Sequence, residues 1–269
     1  MINIGVINKT GRISQADMRR AVEAFQIQVS RDLAPVYGVD AIIRSYNVES
    51  DAPAGTWFTW IVDNIDLAGL NGYHFIDNSA SKVIGTGQKG YAVGANSGLP
   101  YGIVAYRADN WTIVTSHEII EKLVNPYLDK QAANVDVDKD GNASEDMLME
   151  IADPVQANAY SINGVQVTNF VYPEYYTDAV ALAGRKYDYM GVIAGPKEIA
   201  EGGYFSFKRG GQWWQGFKTL NVVLYKKISE KKELTATELE RLIRQIFWVV
   251  FGIIATSVLI NYLIKKLRK

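Results

Sequence analysis

The sequence has no cysteine in 269 residues and only two histidines, His74 and His117. Without thiol groups the chain has neither disulfide bonds nor thiolate metal ligands, so any metal ion must be held by histidine, carboxylates or backbone oxygen. The lack of cysteine also fits a reducing compartment. The two segments that carry histidine are therefore the first candidates for a chemical site.

The sequence also has no large excess of charge, because its 28 basic side chains nearly balance its 29 acidic ones. This balance gives no general electrostatic attraction for nucleic acid, and we predict no nucleic-acid partner. The N-terminus lacks the basic segment and apolar run of a cleaved secretion signal, which favours a cytoplasmic location for the domain. Hydrophobic residues make up 48% of the chain, enough to bury a sizeable core.

One long stretch without charge stands near the C-terminus, at 246–264. As a helix its nineteen residues would reach about 28 Å, close to the hydrocarbon thickness of a bilayer. Trp248 and Tyr262 lie near its ends, where interfacial aromatic rings are common, which predicts a single-pass membrane anchor; a helix buried in a protein assembly is the alternative. The predicted division of the chain is a globular domain at 1–228, a charged helical linker at 229–245, a transmembrane helix at 246–264 and a basic tail at 265–269.

Hydrophobic patterns predict alternating strands and helices in the first 228 residues. A strand at 2–7 precedes a helix capped by Ser14, and a second helix at 113–123 ends at Pro126. The pair Asn163-Gly164 is a strong signal for a hairpin. Together with expected neighbouring strands at 40–46 and 57–62, this order predicts an α+β fold with a mixed sheet.

The segment HEIIE contains the clearest candidate metal ligands. On a helix, His117 and Glu121 share one face, so an imidazole nitrogen and a carboxylate oxygen can converge on one divalent ion. This is the pattern of the HExxH zinc peptidases with glutamate in place of the second histidine. With this helix after the predicted strands, we expect a zincin-like α+β fold, a mixed sheet with a metal-binding helix. Glu118 would then act as the general base that takes a proton from metal-activated water.

A third ligand is needed, and the segment MEIADP offers two carboxylates. We predict Glu150 as this ligand, with Asp153 as its substitute or as a hydrogen-bonding partner of His117. One histidine with two carboxylates is a harder set than zinc usually meets, so manganese or calcium are alternatives to zinc.

The same residues also have an explanation without metal. Thr115 and Glu118 have the spacing of a helix capping box, and Glu118 with Lys122 has the spacing of an ordinary ion pair on a helix. Spacing alone does not separate this interpretation from the metal site.

Several segments between about residues 26 and 207 resemble an uncharacterised bacterial and phage family of metallopeptidase-like proteins. In order they read QIQVSRDLAPVYGVDA, GYHF, GLPYGIVAY, TSHEIIEKLVNP, EIADPVQANAYSINGVQVTNFVYPEYY and GGYFSF. The resemblance implies a metal site in the SHExxE and ExxD segments, which corresponds here to His117, Glu118, Glu121, Glu150 and Asp153. The family often has cysteine in the acidic segment, where this chain has Ala152.

His74, in GYHF, also matches a position of that family. It is a candidate catalytic residue, either as an extra metal ligand or as a hydrogen-bond donor to a transition-state oxyanion. A packed histidine between aromatic side chains is the alternative.

A second, weaker metal signal is the acidic loop that begins at Asp136. Asp136, Asp138, Asp140 and Gly141 match the start of an EF-hand, but its twelfth position is Met147 instead of glutamate. The loop therefore predicts either a weak calcium site or a plain acidic turn.

These patterns favour a membrane-anchored, zinc-dependent peptidase or peptidase-like hydrolase acting on a peptide or protein substrate. A non-catalytic phage or prophage structural protein, with a stabilising ion or none, is the main alternative. An anchored binding module that uses the glycine-rich loops at 69–102 is the third.

Overall fold

The computed structural model describes residues 1–65, 71–76 and 98–229. Within these ranges, twelve strands form two five-stranded sheets and a hairpin. The strands are β1 (Ile2–Asn8), β2 (Ala41–Tyr46), β3 (Trp57–Val62), β4 (Gly72–Ile76), β5 (Pro100–Ala105), β6 (Gln131–Val135), β7 (Glu145–Leu148), β8 (Ala159–Ile162), β9 (Val165–Thr168), β10 (Tyr204–Arg209), β11 (Gln212–Thr219) and β12 (Val222–Ser229). The helices are α1 (Gln15–Ile27), α2 (Ala34–Tyr37) and α3 (Trp111–Val124), with a π-helical segment at Gln28–Leu33 and 3-10 turns at Glu49–Asp51, Asp153–Val155 and Pro173–Tyr176.

The first sheet has the strand order β2-β1-β3-β5-β4. Its first four strands are parallel, and β4 runs antiparallel to β5 at the edge. Alternate side chains of the central strands are buried on both faces; in β5, Val104 belongs to the large core and Ile103 to a smaller core on the opposite face. Helix α3 contacts β3, β4 and β5, so it lies close to the edge strand.

Helix α1 begins where the sequence predicts it. Ser14 caps the helix, and its hydroxyl accepts a hydrogen bond from the backbone N–H of Asp17 at 3.0 Å. The helix continues through the π-helical segment into α2, which ends at Gly38 with φ of 67°. Helix α1 and the π-helical segment pack against one face of the first sheet and form part of the large core.

The second sheet has the order β12-β11-β10-β7-β6, and all of its neighbours are antiparallel. Two-residue turns join its long strands: Gly210-Gly211 between β10 and β11, and Leu220-Asn221 between β11 and β12, all with positive φ. The hairpin of β8 and β9 turns at Asn163-Gly164, as predicted, and β9 contacts α3.

The predicted fold class is wrong. We predicted a zincin-like α+β fold, with one mixed sheet, a metal-binding helix and a C-terminal transmembrane helix. The described residues are instead mostly sheet, in two separate five-stranded sheets, with only two α-helices longer than four residues. The error has a physical source: the stretch at 128–146 is polar and acidic, a composition typical of a loop, yet it contains β6 and the start of β7, which belong to the second sheet together with β10, β11 and β12.

The predicted membrane helix at 246–264 lies outside the described residues, as do the basic tail and all of the predicted linker except Ser229, the last residue of β12. Most of the glycine-rich stretch at 69–102 is also outside them. Among the helices that are described, none combines the length and the apolar character needed to cross a bilayer. The strands predicted as neighbours at 40–46 and 57–62 share a sheet, but β1 lies between them.

Candidate metal centre

Helix α3 carries three side chains of the candidate site. It runs from Trp111 to Val124, two residues earlier and one residue later than predicted. One helical turn separates His117 from Glu121, and the distance from His117 Nε2 to Glu121 Oε2 is 2.9 Å. The side chain of Glu121 is only 3% exposed, so this carboxylate faces the protein interior.

The acidic segment after β7 brings Asp153 to the same point. Asp153 begins a 3-10 turn, and its Oδ1 lies 3.2 Å from His117 Nε2. The other oxygen of Glu121, Oε1, accepts hydrogen bonds from the backbone N–H groups of Ala152 at 3.0 Å and Asp153 at 3.3 Å. Hydrogen bonds to Glu121 therefore connect helix α3 directly to the acidic turn.

Edge strand β4 brings the second histidine to the other side of Glu121. His74 Nδ1 lies 3.3 Å from Glu118 Oε2 and 3.9 Å from Glu121 Oε2. His74 Nε2 lies 3.5 Å from Glu150 Oε2. The other oxygen of Glu150, Oε1, accepts a hydrogen bond from Asn125 Nδ2 at 3.1 Å, which positions the carboxylate.

These contacts define two groups of side chains that could hold a metal ion, and both contain Glu121. One is His117, Glu121 and Asp153; the other is His74, Glu121 and Glu150; within each group the ligand atoms lie within 4.8 Å of one another. The sequence paired Glu150 with His117, whereas the structure puts Asp153 beside His117 and Glu150 beside His74. Glu118, the predicted base, lies against His74.

The donor atoms suit a divalent cation. His74 Nε2 and Asp153 Oδ1 are buried, and neither has a hydrogen-bond partner among the described residues; the 3.2 Å contact of Asp153 with His117 lacks hydrogen-bonding geometry. Buried polar atoms are normally satisfied, so two such atoms aimed into one cluster indicate a missing partner. Imidazole nitrogen and carboxylate oxygen are ordinary ligands of zinc and manganese.

Burial and mutual repulsion dominate the electrostatics of the cluster. Burial raises the pKa of Asp153 to about 7, and the charge of Glu121 adds to this effect. Burial, with Glu121 and Asp153, also raises the pKa of Glu150 well above its usual range. Burial alone would lower the pKa of His117, but Glu121 and Asp153 outweigh it and hold that pKa well above the ordinary value. Without a metal ion, protons therefore partly neutralise the cluster.

Tyrosines that the sequence analysis did not single out surround the acidic segment. Tyr204 lies close to the carboxyl group of Asp153, and burial, with the charge of Asp153, raises the pKa of Tyr204 well above its ordinary value. Tyr175 and Tyr176 are also buried near the cluster, with their pKa values raised by burial. The YPEYY sequence was a signal that could have pointed to them, because closely spaced aromatic residues are typical of a buried segment.

The explanation of the HEIIE glutamates without metal is not supported by the contacts. Helix α3 begins at Trp111, so Thr115 is not a capping residue; its hydroxyl donates to the Trp111 carbonyl at 2.6 Å. Lys122 Nζ donates to the carbonyl of Phe58 at 2.9 Å and to Thr59 Oγ1 at 2.6 Å instead of forming an ion pair with Glu118.

The acidic loop that resembles an EF-hand forms a third group of oxygens within 4.8 Å of one another: Asp136, Asp138 and Asp140. Most of these oxygens already have partners. Asp136 accepts hydrogen bonds from the backbone N–H groups of Asp140 and Gly141, and Arg209 pairs with Asp138 at 2.6 Å. These contacts are those of an acidic turn.

A comparison with known proteins found no match to any family model, curated protein or solved structure.

Proposed function

We propose that this protein is a metal-dependent hydrolase, with zinc as the expected ion and a peptide or protein as the expected substrate. One observation carries the proposal: both histidines of the chain and four carboxylates, from β4, α3 and the acidic segment, converge in one buried cluster. Groups that are costly to bury rarely collect without a function, and a cation is the partner this set lacks.

His117, Glu121 and Asp153 would hold the ion. A bound divalent ion supplies a Lewis acid that polarises a carbonyl and lowers the pKa of water toward about 7. His117 is the most exposed of the three, with 15% of its side chain accessible, so a substrate would reach the ion from the side of His117.

Glu118 is the proposed general base. Its Oε2 lies 3.3 Å from His74 Nδ1, a contact that holds the carboxylate in place. A carboxylate one residue after the first ligand is close enough to accept a proton without binding the ion itself. The peptide substrate is supported by the HExxE pattern and by the family resemblance.

The test is an assay of the full chain, loaded with zinc, against a library of internally quenched peptides. We expect cleavage that a chelator abolishes and zinc restores. Glu118→Gln should keep its zinc and lower kcat by about 10²- to 10⁴-fold. Asp153→Asn should lose zinc affinity instead. Absence of cleavage across the library by the zinc-loaded chain, or full activity of Glu118→Gln, would contradict the proposal.

A second candidate is a non-catalytic structural protein in which the ion only stabilises the fold. The depth of the cluster favours it, since the side chains of His74 and Glu121 are both only 3% exposed. A structural ion has a closed coordination shell, while a catalytic ion keeps an open position. X-ray absorption of the zinc-loaded chain separates the two, because only the open site has a coordinated water.

A further inference from the structure

The candidate centre has places for two ions, and this inference rests on the metal site of the proposed function. We propose that a second divalent ion binds His74, Glu121 and Glu150, beside the first ion at His117, Glu121 and Asp153, so that the carboxylate of Glu121 is shared. Three features of the cluster support this assignment.

The first feature is the orientation of His74. Its side chain is 3% exposed, and its Nε2 has no hydrogen-bond partner among the described residues while facing Glu150 Oε2 at 3.5 Å. Its Nδ1 faces Glu118 Oε2 at 3.3 Å. A metal-binding histidine typically donates its second ring N–H to a carboxylate, which fixes the tautomer and leaves the other nitrogen free for the ion. His74 has this arrangement, with Nε2 as the ligand atom.

The second feature is how Glu121 divides its two oxygens. Oε1 already accepts the backbone N–H groups of Ala152 and Asp153, which leaves Oε2 for cations. Oε2 lies 2.9 Å from His117 Nε2 and 3.9 Å from the His74 ring at Nδ1, and the ligand atoms of His74, Glu121 and Glu150 lie within 4.8 Å of one another. Two ions that share this oxygen at ordinary ligand distances would be about 3.5–4 Å apart, the spacing common in two-metal hydrolytic sites.

The third feature is charge. The side chains of Glu118, Glu121, Glu150 and Asp153 are each at most 11% exposed. The nearby ammonium group of Lys122 is directed to Phe58 and Thr59. One divalent ion balances the charge of two carboxylates, so the other two would have to keep protons in the interior, whereas two divalent ions balance all four in their ionised form.

The experiment measures metal stoichiometry of the full chain, stripped with a chelator and then equilibrated with zinc. We expect two zinc ions per chain by mass spectrometry. Glu150→Gln and Asp153→Asn should each reduce the count to one, because each removes a ligand of one ion only. Glu121→Gln should lose both ions.

The acidic loop needs a matched control, because its carboxylates are the other place where a second ion could bind. Asp140→Asn should keep two zinc ions. Loss of the second ion in Asp140→Asn, with no loss in Glu150→Gln, would overturn the assignment.

Manganese gives a readout that needs no variant. Two Mn²⁺ ions that share a carboxylate oxygen should produce an exchange-coupled electron paramagnetic resonance spectrum, and Glu150→Gln should convert it to that of a single ion. A single ion per chain, or two ions without coupling, would overturn the second site. Two coupled ions without peptide cleavage would support the pair of ions and contradict the hydrolase, so the two failures are distinct.

Discussion

His74 Nδ1 lies 3.3 Å from Glu118 Oε2, although the two residues are 44 positions apart in the chain. The contact exists because β4 pairs with β5, opposite Gly102, while α3 packs across the same two strands. Strand β4 and helix α3 can approach this closely only if no side chain stands between them. Gly72, two residues before His74, provides that space: a Cβ atom there would be 2.5 Å from Glu118 Oε1 and 2.7 Å from Val114 Cγ1.

We therefore predict that Gly72→Ala displaces Glu118 from His74. Overpacking of this kind usually costs about 1–3 kcal/mol of stability. Because Glu118 is the proposed base, kcat of the zinc-loaded protein should fall while the zinc ion at His117, Glu121 and Asp153 is retained. Gly102→Ala is the matched control, since its Cβ would meet Glu118 Cβ at an ordinary 3.5 Å. Equal effects of the two substitutions would contradict the role given to Gly72.

Metal binding should release protons. The pKa of Asp153 is about 7 and that of His117 is well above its ordinary value, so both groups hold protons at pH 6 in the metal-free protein. An ion must displace these protons, and affinity for zinc should rise about tenfold per pH unit for each proton released. Titration calorimetry in buffers of different ionisation enthalpy measures the number directly. Zinc affinity that is constant between pH 6 and 7 would contradict this prediction.

The metal-free protein should become less stable as pH rises from 5 to 7. Burial raises the folded-state pKa of Asp153 to about 7, above its unfolded value of 3.8, so the folded state binds more protons in this window. The raised pKa of Glu150, caused first by burial, acts in the same direction. Thermal unfolding with a chelator measures the effect, and Asp153→Asn should reduce the slope. Zinc at 100 times its dissociation constant should add about 2.7 kcal/mol.

Lys122 should give a pH effect of the opposite sign above pH 7. Burial lowers its folded-state pKa to about 7, against 10.5 in the unfolded chain, so the unfolded chain binds more protons between these values. Stability relative to Lys122→Met should therefore rise with pH from 7, by at most about 1.4 kcal/mol per pH unit. Urea denaturation of both proteins at several pH values tests this. The exposed Lys139→Met is the control, and it should show no such trend.

The local parts of the site were predictable from the sequence. Helix α3 was expected at 113–123 because its apolar period and Pro126 are local signals, and the helical spacing alone brings His117 next to Glu121. The hairpin at Asn163-Gly164 was equally local. Each of these predictions depends only on residues that are close to one another in the sequence.

The choice between Glu150 and Asp153 was not predictable in the same way. The 3-10 turn at Asp153 directs its carboxylate to His117, while Glu150, three residues earlier, faces His74. The spacing of two acidic residues does not define which way each points when the backbone between them is irregular. His74 was a candidate by composition and resemblance, but its partners depend on a long-range strand pairing.

The second sheet was missed for a different reason. Strands β6 and β7, at one end of this sheet, have only five and four residues, in a stretch that is polar and acidic. A signal was nonetheless present in Gly210-Gly211, a pair that favours a two-residue hairpin turn between β10 and β11. The resemblance to a metallopeptidase-like family and the membrane anchor at 246–264 stay predictions.

The two hydrogen bonds that Glu121 accepts from Ala152 and Asp153 have a consequence for how quickly the centre can fill and empty. The segments that carry the ligands are already held together by these hydrogen bonds. Binding of a cation therefore costs little free energy for rearranging the protein. Loading should then be limited by dehydration of the ion and by loss of the resident protons, not by refolding of the acidic segment.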